Sequence, residues 1–335
     1  MFRSGTRTLR PFAESAGVGT RHCSPRLQRA VTDLGADLPF SQAAIKLKEH
    51  YGVVLAVETV RRIVESHGQA IFESQEFDEA WPTTPGNEWV VVQTDGGMVP
   101  IVQTDAEQAD CRKGKKLEWK ELKLGLAYTV GSVNPFYGGT LTGGVDEMGR
   151  QLFSCACDAG FGANSQVHAV GDGASWIANQ VDEKFGSHGH YLVDFYHACE
   201  YLSDAAETCA GADATGWLEQ QKVDLKANRS AIVLAALLPY REHHSVPDEK
   251  APVRRCYRYL SNRRHQLDYA GAIEKKLPIG SGKIESSHRY IVQQRLKRPG
   301  AWWSVSGAEQ MLALRLCRAN GRWEEYWQSR KLLAA

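Results

Sequence analysis

Long apolar runs are missing from this sequence. The longest, Ala231 to Leu238, covers eight residues, well short of the ~20 that cross a bilayer, so a soluble protein without a membrane partner is expected. Cysteine is sparse, with eight in 335 residues, and only Cys155 and Cys157 stand close together. That spacing excludes a disulfide scaffold, and with no secretory signal the expected compartment is a reducing cytoplasm. Internal repeats and low-complexity tracts are absent as well. The basic, acid-poor start (Arg3, Arg7, Arg10) faintly resembles a transit peptide and reads better as an N-terminal arm over residues 1–23. With 43% apolar and 24% charged residues, disordered and fibrous classes are excluded. The length predicts one large α/β domain with appendages, or two to three modules.

Net charge is nearly absent too, at +1, but the balance conceals a split. Between Arg254 and Lys331 there are 17 Lys/Arg against 6 Asp/Glu, so that segment carries +11 and the remainder −10. A polyanionic partner for the basic third, nucleic acid first, is one explanation. The other is a basic face neutralised by an acidic one within the same fold.

Three textures follow one another. From Ser24 to about Phe72 the pattern is helical. Ser24 and Pro25 make a helix start, a second helix runs from Ser41 to His50 and stops at Gly52, and Val57, Val60 and Val64 mark a third. Arg61 and Arg62 lie on its outer face. Three short helices in this order read as a helix-turn-helix. From Trp89 the texture becomes strand-like: Trp89–Asp95 and Met98–Thr104 look like a hairpin turning at Gly96 and Gly97. Leu122, Leu124, Leu126 and Tyr128 alternate as a further strand. Val167–Val170 and Tyr191–Val193 then alternate with helices. The expected architecture is a mixed α/β sheet with helices packed on it. From Phe195 to Gln266 nearly everything reads as helix, apart from a polar loop at 243–252. A basic helix starts near Ser281, and a Trp-rich helix closes the chain.

Three carboxylates hold positions that chemistry favours. Asp95 ends the first strand, Asp172 follows a later one between Gly171 and Gly173, and Glu285 sits in the first turn of a helix. Acids at strand ends point into the crevice where ligands bind. A set of oxygen donors without clustered Cys or His suits Mg2+ or Mn2+, and two such ions ~3.5–4 Å apart serve phosphoryl transfer. Each acid also has a plain explanation, as a turn former, a helix cap, or a partner of the helix dipole. A phosphate-loop reading of Gly280–Lys283 fails because Leu277 and Ile284 stand where Gly and Ser/Thr are needed. A zinc site from Cys155, Cys157, His188 and His190 fails on spacing.

The segments VQTDGG (92–97), GDGASW (171–176), VDFYH (193–197), IGSGKIESS (279–287) and RLKRPGAWW (295–303) together resemble DDE transposases of bacterial insertion sequences. The resemblance is to the ISKra type, related to Mutator-like elements, and spans roughly Pro25 to Trp327. It implies an RNase H-like catalytic core over 86–205, a helical insertion over 206–278, and core-completing helices over 279–331, preceded by the helix-turn-helix over 24–73. The spacings of 77 residues from Asp95 to Asp172 and 113 from Asp172 to Glu285 agree with it. Asp95, Asp172 and Glu285 are then the catalytic ligands of two Mg2+ ions, with Mn2+ able to substitute. Asp194 and His197 form an auxiliary acid-x-x-His element, in which residues at i and i+3 share a helix face. The imidazole is expected to steady a DNA strand or to orient Asp194, if the pair is not simply a buried helix start. Longer relatives carry an N-terminal zinc ribbon, whereas Cys23 stands alone here.

Basic and aromatic residues interleave in the final segment. Phosphate contacts are expected from Arg289, Arg295, Lys297 and Arg298, and base stacking from Trp302 and Trp303. Glu285 and Arg289 are expected on one helix face together with Val292. Trp323 and Trp327, at i and i+4, read as packing residues. The function expected is DNA transposition: metal-dependent cleavage and strand transfer at the ends of the protein's own element, by a homodimer or higher oligomer on double-stranded DNA. The rival readings are an RNase H-like nuclease or resolvase without strand transfer, and a domesticated DNA-binding protein without catalysis.

Overall fold

The computed structural model describes residues 23–77, 79–103 and 114–333, with side chains as far as Arg330, and the backbone of two short paired strands, β1 (Phe2–Ser4) and β2 (Arg7–Leu9). The rest of the expected N-terminal arm lies outside the described residues.

Three helices come first: α1 (Pro25–Asp37), α2 (Phe40–Tyr51) and α3 (Val57–Glu73). Ser24 caps α1 by accepting from the Leu27 N–H at 3.3 Å, and Gly52 ends α2 in the left-handed region at φ 65°, as glycine allows. Val31, Ala43, Leu47, Val60 and Val64 meet between them, fully buried. This cluster has no boundary with the rest. It continues through Leu122, Leu124, Leu126, Ile291, Leu312 and Trp303, so the three helices share a core with the sheet.

The sheet has five strands in the order β5-β4-β3-β6-β7. These are β3 (Trp89–Gln103), β4 (Lys116–Thr129), β5 (Phe136–Thr140), β6 (Gln166–Gly171) and β7 (Gly189–Val193). The β3–β4 and β4–β5 pairs are antiparallel, while β6 runs parallel to both β3 and β7. Alternation sorts the side chains by face. Val90 and Val92 join the cluster under α4 (Gly144–Asp158) and α5 (Ser175–Phe185). Val91 joins the cluster of the first three helices.

Two strand expectations need correction. The chain does not turn at Gly96 and Gly97: β3 runs straight through them, pairing Gly96 with Lys123 and Gly97 with Leu122. The glycines serve close approach instead. A Cβ on Gly97 would meet the His288 ring at 2.9 Å, and one on Gly96 the Glu121 carboxyl at 2.4 Å. The meander is completed by β5, whose Gly138 and Gly139 gave it no strand-like alternation.

A run of helices follows β7, the first of them crossing the start expected for the helical insertion at 206: α6 (Phe195–Ala210), α7 (Ala214–Lys226), α8 (Ser230–Leu237), α9 (Pro252–Asn262) and α10 (Tyr269–Glu274). These helices gather around Leu202, Leu237, Val253, Leu260 and Tyr269, an apolar cluster that also takes in Leu192 and Val193 of β7. The chain returns to the sheet through α11 (Gly282–Ser287), a π-helical stretch at His288–Gln293, α12 (Gln294–Leu296), α13 (Val305–Ala319) and α14 (Trp323–Leu333). Among the described residues no helix is long and apolar enough to cross a membrane.

Candidate functional site

The parallel pairing of β3 with β6 brings two of the expected acids together. The parallel register ends at Gln93 with Val170; Asp95 lies two residues further along, inside β3 rather than at its end as expected, and Asp172 follows the last residue of β6. Burial first, then Asp172 and Glu121, push the Asp95 carboxyl above the usual carboxylate range, against the pull of His288 and of the Gly96 N–H. Asp95 accepts from the Gly96 N–H at 2.8 Å and Asp172 from the Ala174 N–H at 2.7 Å. In both carboxylates the second oxygen accepts no hydrogen bond among the described residues.

Glu285 reaches the neighbourhood on α11, which packs on β3. The Ile284 N–H donates to Gln93 Oε1 at 3.1 Å and Gln93 Nε2 donates to the Gly280 carbonyl at 3.3 Å, fixing the start of the helix against the strand. One turn on, His288 Nε2 lies 3.2 Å from the Asp95 carbonyl and 3.8 Å from its carboxylate. Burial lowers the His288 pKa while Asp95 raises it. Glu285 itself is exposed, and its carboxylate makes no hydrogen bond or ion pair among the described residues.

Uncommitted carboxylate oxygens at one edge, crowded enough to raise a pKa, are the donor set a hard cation neutralises. Asp95 and Asp172 are oxygen donors, the type that Mg2+ or Mn2+ takes. The three acids are not gathered as they stand: among the described residues no three His, Cys, Asp or Glu side chains form a group that could hold a metal. A cleft of 320 Å³ lined by Trp89, His168, His190 and Lys275 includes none of the three acids.

Asp194 stands level with Asp172, because β7 pairs Val193 with Gly171, yet its carboxylate is fully committed. It is buried and caps α6, one oxygen accepting from the Tyr196 N–H at 2.6 Å and the His197 N–H at 3.2 Å. The other accepts from the Ser281 N–H at 2.7 Å and from the Ser281 hydroxyl. Asp194 is thus a structural clamp between α6 and the turn before Glu285. The His197 side chain does not touch it. The imidazole pairs with Glu200 at 3.2 Å and sits edge-on to Tyr201 and Tyr259.

The expected DNA contacts divide sharply. Arg295 is buried, with Nε–H donating to the Gly35 carbonyl at 3.1 Å and its guanidinium between Phe40 and Trp303 at 4.8 and 4.7 Å. Burial lowers its pKa to about 10. Trp303 is buried too and bridges to the edge of β3, its carbonyl accepting from the Val102 N–H at 2.8 Å. Neither residue is free for DNA; both weld the C-terminal segment to α2 and β3. Val292 is buried beside Arg295 because the π-helical turn, bonding i to i+5, rotates the face that an α-helix would continue. Arg289, Lys297 and Trp302 are exposed and Arg298 half-exposed, with Lys115 stacked 3.2 Å over the Trp302 ring. Arg61 is held by Glu58 and Glu65, and Arg62 by Glu58 at 3.0 Å, which leaves that face of α3 without net charge. Arg315 and Arg318 pair with Asp33 and Asp37 of α1, so part of the charge split closes within the fold. Trp327 is buried against His67, as expected of a packing residue.

Several site residues escaped the sequence reading. His288 had a signal, one helical turn after Glu285. Glu121 had one only through strand register. Tyr259 and Arg263 of the insertion had none.

The class these features define is a mixed α/β protein with one acid inside β3, a second just after the neighbouring parallel strand β6, and a group of helices beside them. No protein-family model matches the chain. It is similar to the UPF0236 protein in vanSb 3'region of Streptococcus gallolyticus, with 26% identity over 351 aligned residues, covering 98% of this chain and 71% of that protein.

Proposed function

We propose that this chain is a DNA transposase of RNase H-like fold, cutting a phosphodiester at the ends of its own insertion sequence and joining the freed end to target DNA. The observation that carries the reading is that β3, which contains Asp95, runs beside and parallel to β6, which ends just before Asp172, in a β5-β4-β3-β6-β7 sheet. Asp95 and Asp172, with Glu285 from α11 as the third ligand, would hold divalent cations, whose chemistry is to activate an attacking oxygen and steady a leaving one. The chain's own part is placement. Gln93 and Asp194 fix the start of the Glu285 helix, and the uncompensated acids repel a phosphate until a cation is present. Arg289, Lys297, Arg298 and Trp302 offer phosphate and base contacts beyond the acids, and α1–α3 are the module proposed to read the terminal repeats.

The test is incubation of the protein with duplex carrying the DNA that flanks its gene. Nicked and strand-transfer products are expected with Mg2+ or Mn2+ and none in EDTA or with Asp172→Ala. Products that persist in EDTA would overturn the reading, and cleavage without joining would favour a nuclease or resolvase.

A further inference from the structure

The loop that carries Asp172 is gripped from the helical insertion. Tyr259 of α9 donates its hydroxyl proton to the Asp172 carbonyl at 2.6 Å. Arg263, one turn on, donates Nε–H to the Gly173 carbonyl at 2.7 Å and lies with its guanidinium 4.3 Å from the Tyr259 ring. From the sheet side, Tyr191 Oη accepts the Gly173 N–H at 2.9 Å. Gly173 sits between these groups at φ +89°, and a Cβ there would fall 2.5 Å from Arg263 Nε and 2.8 Å from Tyr259 Oη. The Tyr259 ring is itself braced, stacked on Tyr201 at 4.1 Å with 13° between planes, with His197 edge-on to both.

Each backbone polar group of the Asp172–Gly173 step that these bonds reach is held by a side chain, and two of the three side chains come from the insertion. A loop gripped in this way has one orientation, and the Asp172 side chain, further tied to the Ala174 N–H, inherits it. Partners that orient a ligand govern metal affinity nearly as strongly as the ligand does.

We propose that Tyr259 and Arg263 are positioning residues: the insertion is a clamp that sets the Asp172 carboxylate for its cation, and His197 acts as the brace of Tyr259. The metal-binding part of this rests on the proposed function; the clamp itself does not. Tyr259→Phe removes the hydroxyl and keeps the stacked ring. Tyr201→Phe is the control, because its hydroxyl makes no bond to the loop. Two readouts are taken on the full chain: amide hydrogen exchange at Gly173 and Ala174, and Mn2+ binding by titration of the metal alone. Tyr259→Phe is expected to speed exchange at both amides and to weaken Mn2+ binding about tenfold, with Tyr201→Phe unchanged in both. Arg263→Lys, which keeps the charge but not the planar donor, is expected to weaken binding in the same direction. Unchanged exchange in Tyr259→Phe would overturn the clamp, and faster exchange with unaltered Mn2+ affinity would overturn the claim that the clamp sets the Asp172 carboxylate for its cation. If the wild-type chain binds no Mn2+, the acids lose their proposed role, and the clamp stands or falls on exchange alone.

Discussion

Asp194 and Ser281, 87 residues apart, are joined twice: one carboxylate oxygen takes both the backbone N–H and the hydroxyl of the serine. The other oxygen caps α6. The turn that launches Glu285 is thereby tied to the end of β7 and the start of the insertion, which is how an exposed glutamate is delivered to the strand that carries Asp95.

Asp194→Ala removes a helix cap and two buried bonds to a charged acceptor, a loss of about 3 kcal/mol. Asp194→Asn is expected to fare little better, because its amide N–H₂ would face the Ser281 N–H. The urea midpoint measures both. A midpoint within error of wild type for either variant would contradict the clamp between Asp194 and Ser281.

Asp95 and Asp172 repel one another, and the folded-state pKa of Asp95 is raised. A carboxyl raised on folding weakens the folded state above its unfolded pKa, and the deficit disappears as pH falls below that value. Asp95→Asn, which keeps the acceptor for Gly96, should therefore raise the melting temperature at pH 7 without metal. Adding Mg2+ should stabilise wild type and leave this variant unmoved. Thermal scans with and without Mg2+ decide both points.

Salt dependence of DNA binding separates buried from exposed cations. Arg289→Ala with Lys297→Ala should reduce the slope of log K against log salt by about 1.8, near 0.9 for each phosphate contact. Arg295→Ala should leave the slope alone and cost stability, roughly 2–4 kcal/mol for the space left between Phe40 and Trp303. An unaltered melting temperature in Arg295→Ala, together with a flattened slope, would return that arginine to the DNA surface.

His67 supplies a pH signature far from the acids. Gln28 gives its amide N–H₂ to the Cys23 carbonyl, so its Oε1 faces His67 Nε2 at 2.9 Å and that nitrogen carries the proton. Nδ1 then accepts from the Tyr326 hydroxyl at 2.6 Å. Burial, with Arg330 adding to it, brings the His67 pKa down to about 4, against ~6.5 in an unfolded chain. The unfolded state takes the proton first, so stability present above pH 6.5 is lost as pH falls toward 4, on the order of 3 kcal/mol in all. His67→Gln should flatten that part of the stability profile. A slope identical to wild type between pH 6.5 and 4 would remove His67 as its source.

Much of this arrangement is legible in the residues. Ser24 followed by Pro25 and the alternation of Leu122, Leu124 and Leu126 each have one dominant local meaning. What was misread has two. Gly96–Gly97 spells a turn until the groups filling the missing Cβ positions, His288 and Glu121, are known, and both come from elsewhere in the chain. Gly138 and Gly139 hide β5 in the same way. An arginine that will lie between two aromatic rings is written no differently from one on the surface, which is why Arg295 looked like a phosphate contact. Tyr259 and Arg263 carry no local signal, since their role arises only when the insertion folds back over the loop after β6.

The shared core of the first three helices also has a consequence in time. His67 of α3 waits for Tyr326, 259 residues further along, and Gln69 for Gln310, 241 residues on. At about 5–20 residues per second of synthesis, the first helices emerge roughly ten to fifty seconds before the surface that covers them. A chain ending before Val305 is expected to be cut readily by protease within α3, and protection equal to that of the full chain would show that the helices close on themselves. The ends of the message, not its middle, thus determine when the protein is finished.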